Sequence, residues 1–290
     1  MRRNKGLMIS AIPLVGAFAL TGCTDSGAGA PTAAPVEEDV TFEEGTTMAA
    51  LNEAGEITIG TKFDQPLFGL KGPDGDPVGF DVEIGKLIAA KLGIEPSGIT
   101  WTETVSANRE PFIQNGDVDL VVATYTINDA RKEVVSFAGP YYEAGQDLLV
   151  LAGNEAGIEG PEDLADKKVC TVSGSTSEKN IAAYTTNVIA TDTYSNCLGP
   201  LRSGEVDAVT TDNVILAGLA DQNAGEFEVV GNPFTAEPYG IGLAKDDTEF
   251  RDFINDVLEE AYEDGTWAEA WEATAGSVLE TPEPPAVDRY

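Results

Sequence analysis

The chain contains no histidine, only three cysteines, and 17 Lys and Arg against 50 Asp and Glu. Each shortage excludes something. Without histidine the chain lacks both the commonest general base at neutral pH and the commonest metal ligand. Acid–base catalysis would fall to Glu, Asp, Lys, Tyr or Cys, and no metal or cofactor is expected. The shortage of basic residues leaves a formal charge of −33. A phosphate-binding surface needs clustered Lys and Arg, so nucleic acid is excluded as a partner. Such a charge bears on solubility and leaves the fold open.

Long apolar runs are also scarce. Leu7 to Leu20 is apolar and follows Arg2, Arg3 and Lys5, but it is short for a membrane span. It ends in Leu20-Thr21-Gly22-Cys23 instead of the A-x-A pattern of ordinary secretory cleavage. The segment resembles a bacterial lipobox, which implies a lipoprotein signal peptide over 1–22 and diacylglycerol on the Cys23 sulfur. Two acyl chains suffice for stable anchoring. The alternative is a plain signal peptide followed by an incidental cysteine. Residues 23–55 are expected to form a flexible tether, since 24–44 are rich in Gly, Ala, Pro, Thr and acid. The segment 281–290 (TPEPPAVDRY) reads as a disordered tail. Cys170 and Cys197 remain, and in an exported chain they suggest one disulfide, with two buried thiols as the alternative.

What is present is a repeated α/β pattern. Leu120 to Ala123 is a continuous apolar run, as in a strand buried on both faces. It stops at Thr124-Tyr125-Thr126, and Asn128 and Asp129 then favour a helix start that carries Arg131. Ligands collect at the carboxyl ends of strands in open α/β sheets. An arginine among hydroxyls there suits a carboxylate, because its planar fork can bind both oxygens. A salt bridge on the first helical turn is the competing reading. The same layout recurs at Gly204 to Asp212, which puts Asp212 where a carboxylate could hold an ammonium or simply cap the next helix. Ser173-Gly174-Ser175-Thr176-Ser177 is a glycine turn before a helix, where free N–H groups, hydroxyls and the dipole favour an anion. Lys62, Asp64 and Arg109 lie just past other expected strand ends. Trp267 and Trp271 are expected in the core.

In combination these motifs resemble the family 3 extracellular solute-binding proteins, the polar amino-acid receptors of bacterial ABC importers. The match is carried by GFDVEIGKLIAAKLG, NGDVDLVVATYTINDARKEVVSF, PYYEAG, SGSTSE, SGEVDAVTTDN and YGIGLAKDD, and spans about Glu56 to Trp271. KFDQP, SANRE and the Cys170/Cys197 pair are similar to the glutamate-binding lipoproteins of high-GC Gram-positive bacteria. The resemblance implies an α/β, two-lobed periplasmic-binding-protein-like fold of type II, its lobes joined by two crossing hinge strands. One lobe would be 56–143 plus 239–280, and the other 144–238. Ligand would sit between them, its α-carboxylate on Arg131, Thr126 and the helix start at Ser175 and Thr176, its ammonium on Asp212, with Thr124 also among the ligand-binding residues. Lys62 and Arg109, with Asp64 nearby, would face a side-chain carboxylate. Thr211 stands where many relatives have a histidine, which leaves one side-chain contact open. The implied role is a lipid-anchored, monomeric, non-enzymatic receptor at the outer face of the membrane, delivering glutamate or a related amino acid to an ABC permease. A dehydratase-like enzyme or a ligand-sensing domain on the same fold is the alternative.

Overall fold

The computed structural model describes residues 35–73 and 75–290. The expected signal peptide and Cys23 lie outside them. The chain builds one sheet, crosses to a second, and returns. Helix α1 (Thr47–Ala54) precedes strand β1 (Ile57–Thr61), whose Ile57 and Ile59 are buried. A two-stranded hairpin of β2 (Asp64–Gln65) and β3 (Gly69–Leu70) leads to α2 (Phe80–Lys91). Gly79 opens α2 at φ +131°, where a Cβ would lie 2.4 Å from the Phe68 carbonyl, so only glycine fits. Then follow β4 (Ile99–Glu103), α3 (Arg109–Asn115), β5 (Leu120–Val121), α4 (Asp129–Lys132) and β6 (Ser136–Ala144).

Beyond Gly145 the second half begins with β7 (Gln146–Leu151) and β8 (Val169–Val172), then α5 (Thr176–Ile181) and β9 (Val188–Thr191). It continues through α6 (Ser195–Ser203), β10 (Ala208–Asp212), α7 (Asn213–Gln222) and β11 (Phe227–Val229). Strand β12 (Glu237–Leu243) returns to the first sheet, and α8 (Thr248–Asp264) and α9 (Thr266–Ala273) cover it.

The strand orders are β4-β1-β5-β12-β6 and β11-β7-β10-β8-β9. β1 is parallel to β4 and β5, while β12 runs antiparallel to β5 and β6. β6 and β12 are the two crossing strands, and they pair side by side, Glu237 opposite Ala144 and Pro238 opposite Glu143. This is the expected two-lobed α/β architecture. Trp267 and Trp271 are buried core residues, and Trp271 stacks on Tyr142 at 4.9 Å. The lobes are closed on each other. Gly174 (φ +76°) lies so near the other lobe that a Cβ would meet Ala107 Cα at 2.9 Å.

Two expectations are corrected. The expected tether is structured over much of its length, because it carries enough apolar residues to dock. Leu51 is buried in α1, Phe42 packs edge-on against Phe253 at 5.5 Å, and Glu37 N donates to Ala90 O at 3.0 Å. The tail 281–290 forms no helix or strand, yet it is not free. Asp288 N donates to Gly139 O at 2.8 Å, Phe137 N donates to the Tyr290 hydroxyl at 2.9 Å, and Arg289 bridges Asp256 and Glu259. The tail lies along β6, an edge strand with open backbone groups.

Candidate functional site between the lobes

Past the ends of β5 and β10 the lobes enclose a polar slot of about 220 Å³, its mouth included. Arg109, Thr124 and Thr126 line it from one lobe, and Ser175, Thr176 and Asp212 from the other. Regular pairing in β5 ends at Val121, and Thr124 then adopts φ +43°, a conformation that few non-glycine residues take. The fully buried Asp81 holds it there: Oδ2 accepts from Thr124 N at 2.8 Å and Oδ1 from the Tyr141 hydroxyl at 2.6 Å. Burial raises the Asp81 carboxyl to about 7 despite these bonds.

One wall of the site is cationic. Arg109 and Arg131 both lie over the ring of Tyr125, at 4.3 and 4.8 Å from its centroid. Arg109 Nη1 donates to the carbonyls of Ala123 and Thr124 at 3.2 and 3.3 Å, which steers the chain as well as charging the slot. Arg131 sits just behind the lining. Its Nη1 donates to Thr126 O at 2.6 Å, its Nη2 crosses to Gly174 O at 3.4 Å, and its Nε pairs with Glu110 at 3.1 Å. Burial, reinforced by Arg109, lowers Arg131 to about 10, so it stays protonated at neutral pH. Lys62 is buried beside them, its Nζ donating to Ser106 Oγ at 2.9 Å. Burial first, and then the Arg109 charge, brings Lys62 down to about 7.

Asp212 faces this wall from the other lobe. Its Oδ2 accepts from the Tyr239 hydroxyl at 2.6 Å, while Oδ1 has no partner among the described residues. Burial, then the nearby Glu237 charge, raises its carboxyl to about 7. Ser175 lines the slot, but its hydroxyl caps α5, accepting from Glu178 N at 2.9 Å and donating to Val172 O at 2.7 Å. Asp64 stands apart from the lining and accepts from Ser195 N of the opposite lobe at 3.3 Å. A disulfide joins Cys170 of β8 to Cys197 of α6, with Cα atoms 5.6 Å apart. Sequence reasoning passed over Asp81, Glu110, Tyr125, Tyr194 and Tyr239. Only Asp81 left a signal, an acid two residues after a helix-opening glycine, and that pattern fits any helix dipole.

A family model for bacterial extracellular solute-binding proteins, family 3, matches residues 57–273. The chain belongs to that family. This solute-binding protein is 45% identical to the glutamate-binding protein GluB of Corynebacterium efficiens, over 78% of its own length and 80% of the relative's. It is 37% identical to the ABC transporter glutamine-binding protein GlnH of Bacillus subtilis, over 92% and 96% of the two chains. Among solved structures, an ancestral arginine-binding protein bound to glutamine superposes with a TM-score of 0.69 at 38% identity, covering 75% of this chain and 96% of that one. Like these relatives, the chain is a solute-binding protein.

Proposed function

We propose that this protein is the extracellular substrate-binding component of an ABC amino-acid importer and takes L-glutamate between its lobes. One observation carries the reading: two buried guanidiniums share a tyrosine ring, across the slot from a buried carboxylate with an open oxygen. An α-amino acid has the complementary polarity. Arg131, Thr126 and the first turn of α5 at Ser175 and Thr176 receive the α-carboxylate, with Thr124 beside them. Asp212 receives the ammonium. Arg109 and Lys62 supply the further positive charge that a second carboxylate needs, which favours glutamate over glutamine. Asp64 acts instead as a contact between closed lobes.

The lobes, 56–143 with 239–280 and 144–238, open and close by rotation where β6 and β12 cross between them. Lipid on Cys23 holds the receptor, a monomer, at the membrane beside its permease. Two relatives, a glutamate-binding protein and a glutamine-binding protein, support this class of ligand. Calorimetric titration with glutamate, glutamine, aspartate and asparagine tests it. Glutamate is expected to bind tightest, and Arg109→Ala to weaken glutamate at least tenfold more than glutamine. Equal binding of the two by the wild type, or equal loss in the variant, overturns the side-chain assignment.

A further inference from the structure

Glu237 begins β12 at the crossing between the lobes and is only 2% exposed. Its Oε1 accepts from Asn180 Nδ2 at 3.2 Å and from Thr235 Oγ1 at 2.9 Å. Its Oε2 has no partner among the described residues, and neither has Asp212 Oδ1. Tyr239 lies two positions along the same strand, so its side chain and that of Glu237 leave on one face. On that face the Tyr239 hydroxyl reaches Asp212 at 2.6 Å. Asn180 closes the group from the other side, donating also to Gln146 Oε1 at 3.1 Å, and Gln146 is the register partner of Asp212.

Two buried carboxylates, Asp212 lining the slot and Glu237 at the crossing of the lobes, therefore each keep an open oxygen, and Glu237 is near enough for its charge to act on Asp212. Leaving either uncompensated is costly, and their charges repel. Arg109 and Arg131 oppose this in part but do not relieve it fully, since burial and the Glu237 charge still hold the Asp212 carboxyl up. A positive group brought by the ligand would.

We propose that Glu237 is a specificity-determining residue: with Asp212 it makes closure depend on an α-ammonium in the ligand and opposes closure on the amine-free dicarboxylate. The inference rests on the amino-acid reading above. Glu237 acts through its charge, and a contact with the ligand is not required. The groups around Asp212 are Glu237 and Tyr239 on β12, Arg109 on α3, Arg131 on α4, Tyr142 on β6 and Tyr194 before α6. Among them Glu237 is the one carboxylate, and it reinforces burial in holding the Asp212 carboxyl up.

The test is titration of the full chain with glutamate and with glutarate, its amine-free analogue, from pH 5 to 9. The wild type is expected to prefer glutamate strongly. Glu237→Gln should weaken glutamate about tenfold and tighten glutarate by a similar factor. It should also move the acid limb of glutamate binding to lower pH. Glu237→Asp, which keeps the charge, should keep the preference, and Glu237→Ser serves as a second neutral variant if Glu237→Gln does not fold. Equal changes for both ligands with the acid limb unmoved would reduce Glu237 to hinge packing and overturn the proposal alone. Failure of the wild type to bind any amino acid would instead overturn the reading on which it rests.

Discussion

Asp212 and Ser175 show how one residue type pattern can serve two ends. Asp212 holds the N-cap position of α7 but makes no side-chain cap bond, leaving its carboxylate to Tyr239 and the slot. Ser175 goes the other way, its hydroxyl being used to cap α5, so it contributes by fixing the helix start. Removing one member of a desolvated ion pair strands the other, at about 3 to 5 kcal/mol. Arg131→Ala and Asp212→Ala are therefore each expected to weaken ligand binding by roughly two to three orders of magnitude, at about 1.4 kcal/mol per decade. Titration showing less than a tenfold loss in both would place the ligand elsewhere. A pH profile follows from the same groups. Asp212, raised to about 7, must lose its proton to receive an ammonium, so affinity falls as pH drops below 7. Lys62, lowered to about 7, must gain a proton to meet a carboxylate, so affinity for glutamate also falls as pH rises above 7. A bell-shaped profile is expected for glutamate, and for glutamine a profile without the alkaline limb.

At the scale of elements, the disulfide and the tail both brace parts that flank the slot. Cys170 sits in β8, which runs into Gly174 and Ser175, and Cys197 sits in α6 just after Tyr194, another lining residue. Closing a loop of that length stabilises by about 3 to 4 kcal/mol in the chain-entropy model. Reduction should lower the melting temperature and weaken binding together, as read by calorimetry with and without reductant. Two alkylatable thiols in the unreduced native protein would contradict the bridge. The tail acts on the other lobe. Tyr290 lies under Lys132 at 3.9 Å and Arg251 at 4.4 Å, and Lys132 also pairs with Asp288 at 3.1 Å, next in sequence to Arg131. Deleting 281–290 bares the edge of β6 and frees α4. Lower thermal stability and increased self-association on sizing are expected, and an unchanged melting temperature would show the tail to be passive.

For the whole molecule, the net charge of −33 opposes an anionic ligand at long range, while the buried cations attract it within the slot. Screening beyond about 10 Å at 0.1 M salt confines that opposition to low ionic strength. At this scale too stands the expected lipid on Cys23. Cys23→Ser should move the receptor from the membrane to the medium, and unchanged partitioning into detergent would sink that assignment.

The local elements were legible because their causes are local. Apolar alternation in EITIGTK, the helical spacing of Ile84, Leu87 and Ile88, and Asn128 before Asp129 each act over a few residues, and β1, α2 and α4 lie where these predict. Arg131 and Asp212 could be picked out for the same reason, as polar residues after buried strands. The run Leu120 to Ala123 predicts strand throughout, whereas β5 covers only Leu120–Val121, and Asp81, about 40 residues earlier, holds Thr124 in a left-handed conformation. The docking of the tail, the Tyr125 ring shared by two arginines, and Tyr239 holding Asp212 likewise join residues distant in sequence. Periodicity carries no record of such contacts. The sequence by itself determined which strands and helices form and which charges stand at their ends. Which charges meet, which are buried and which are left without a partner was decided only when the two lobes packed together, since desolvation and pairing depend on the whole surroundings of a group.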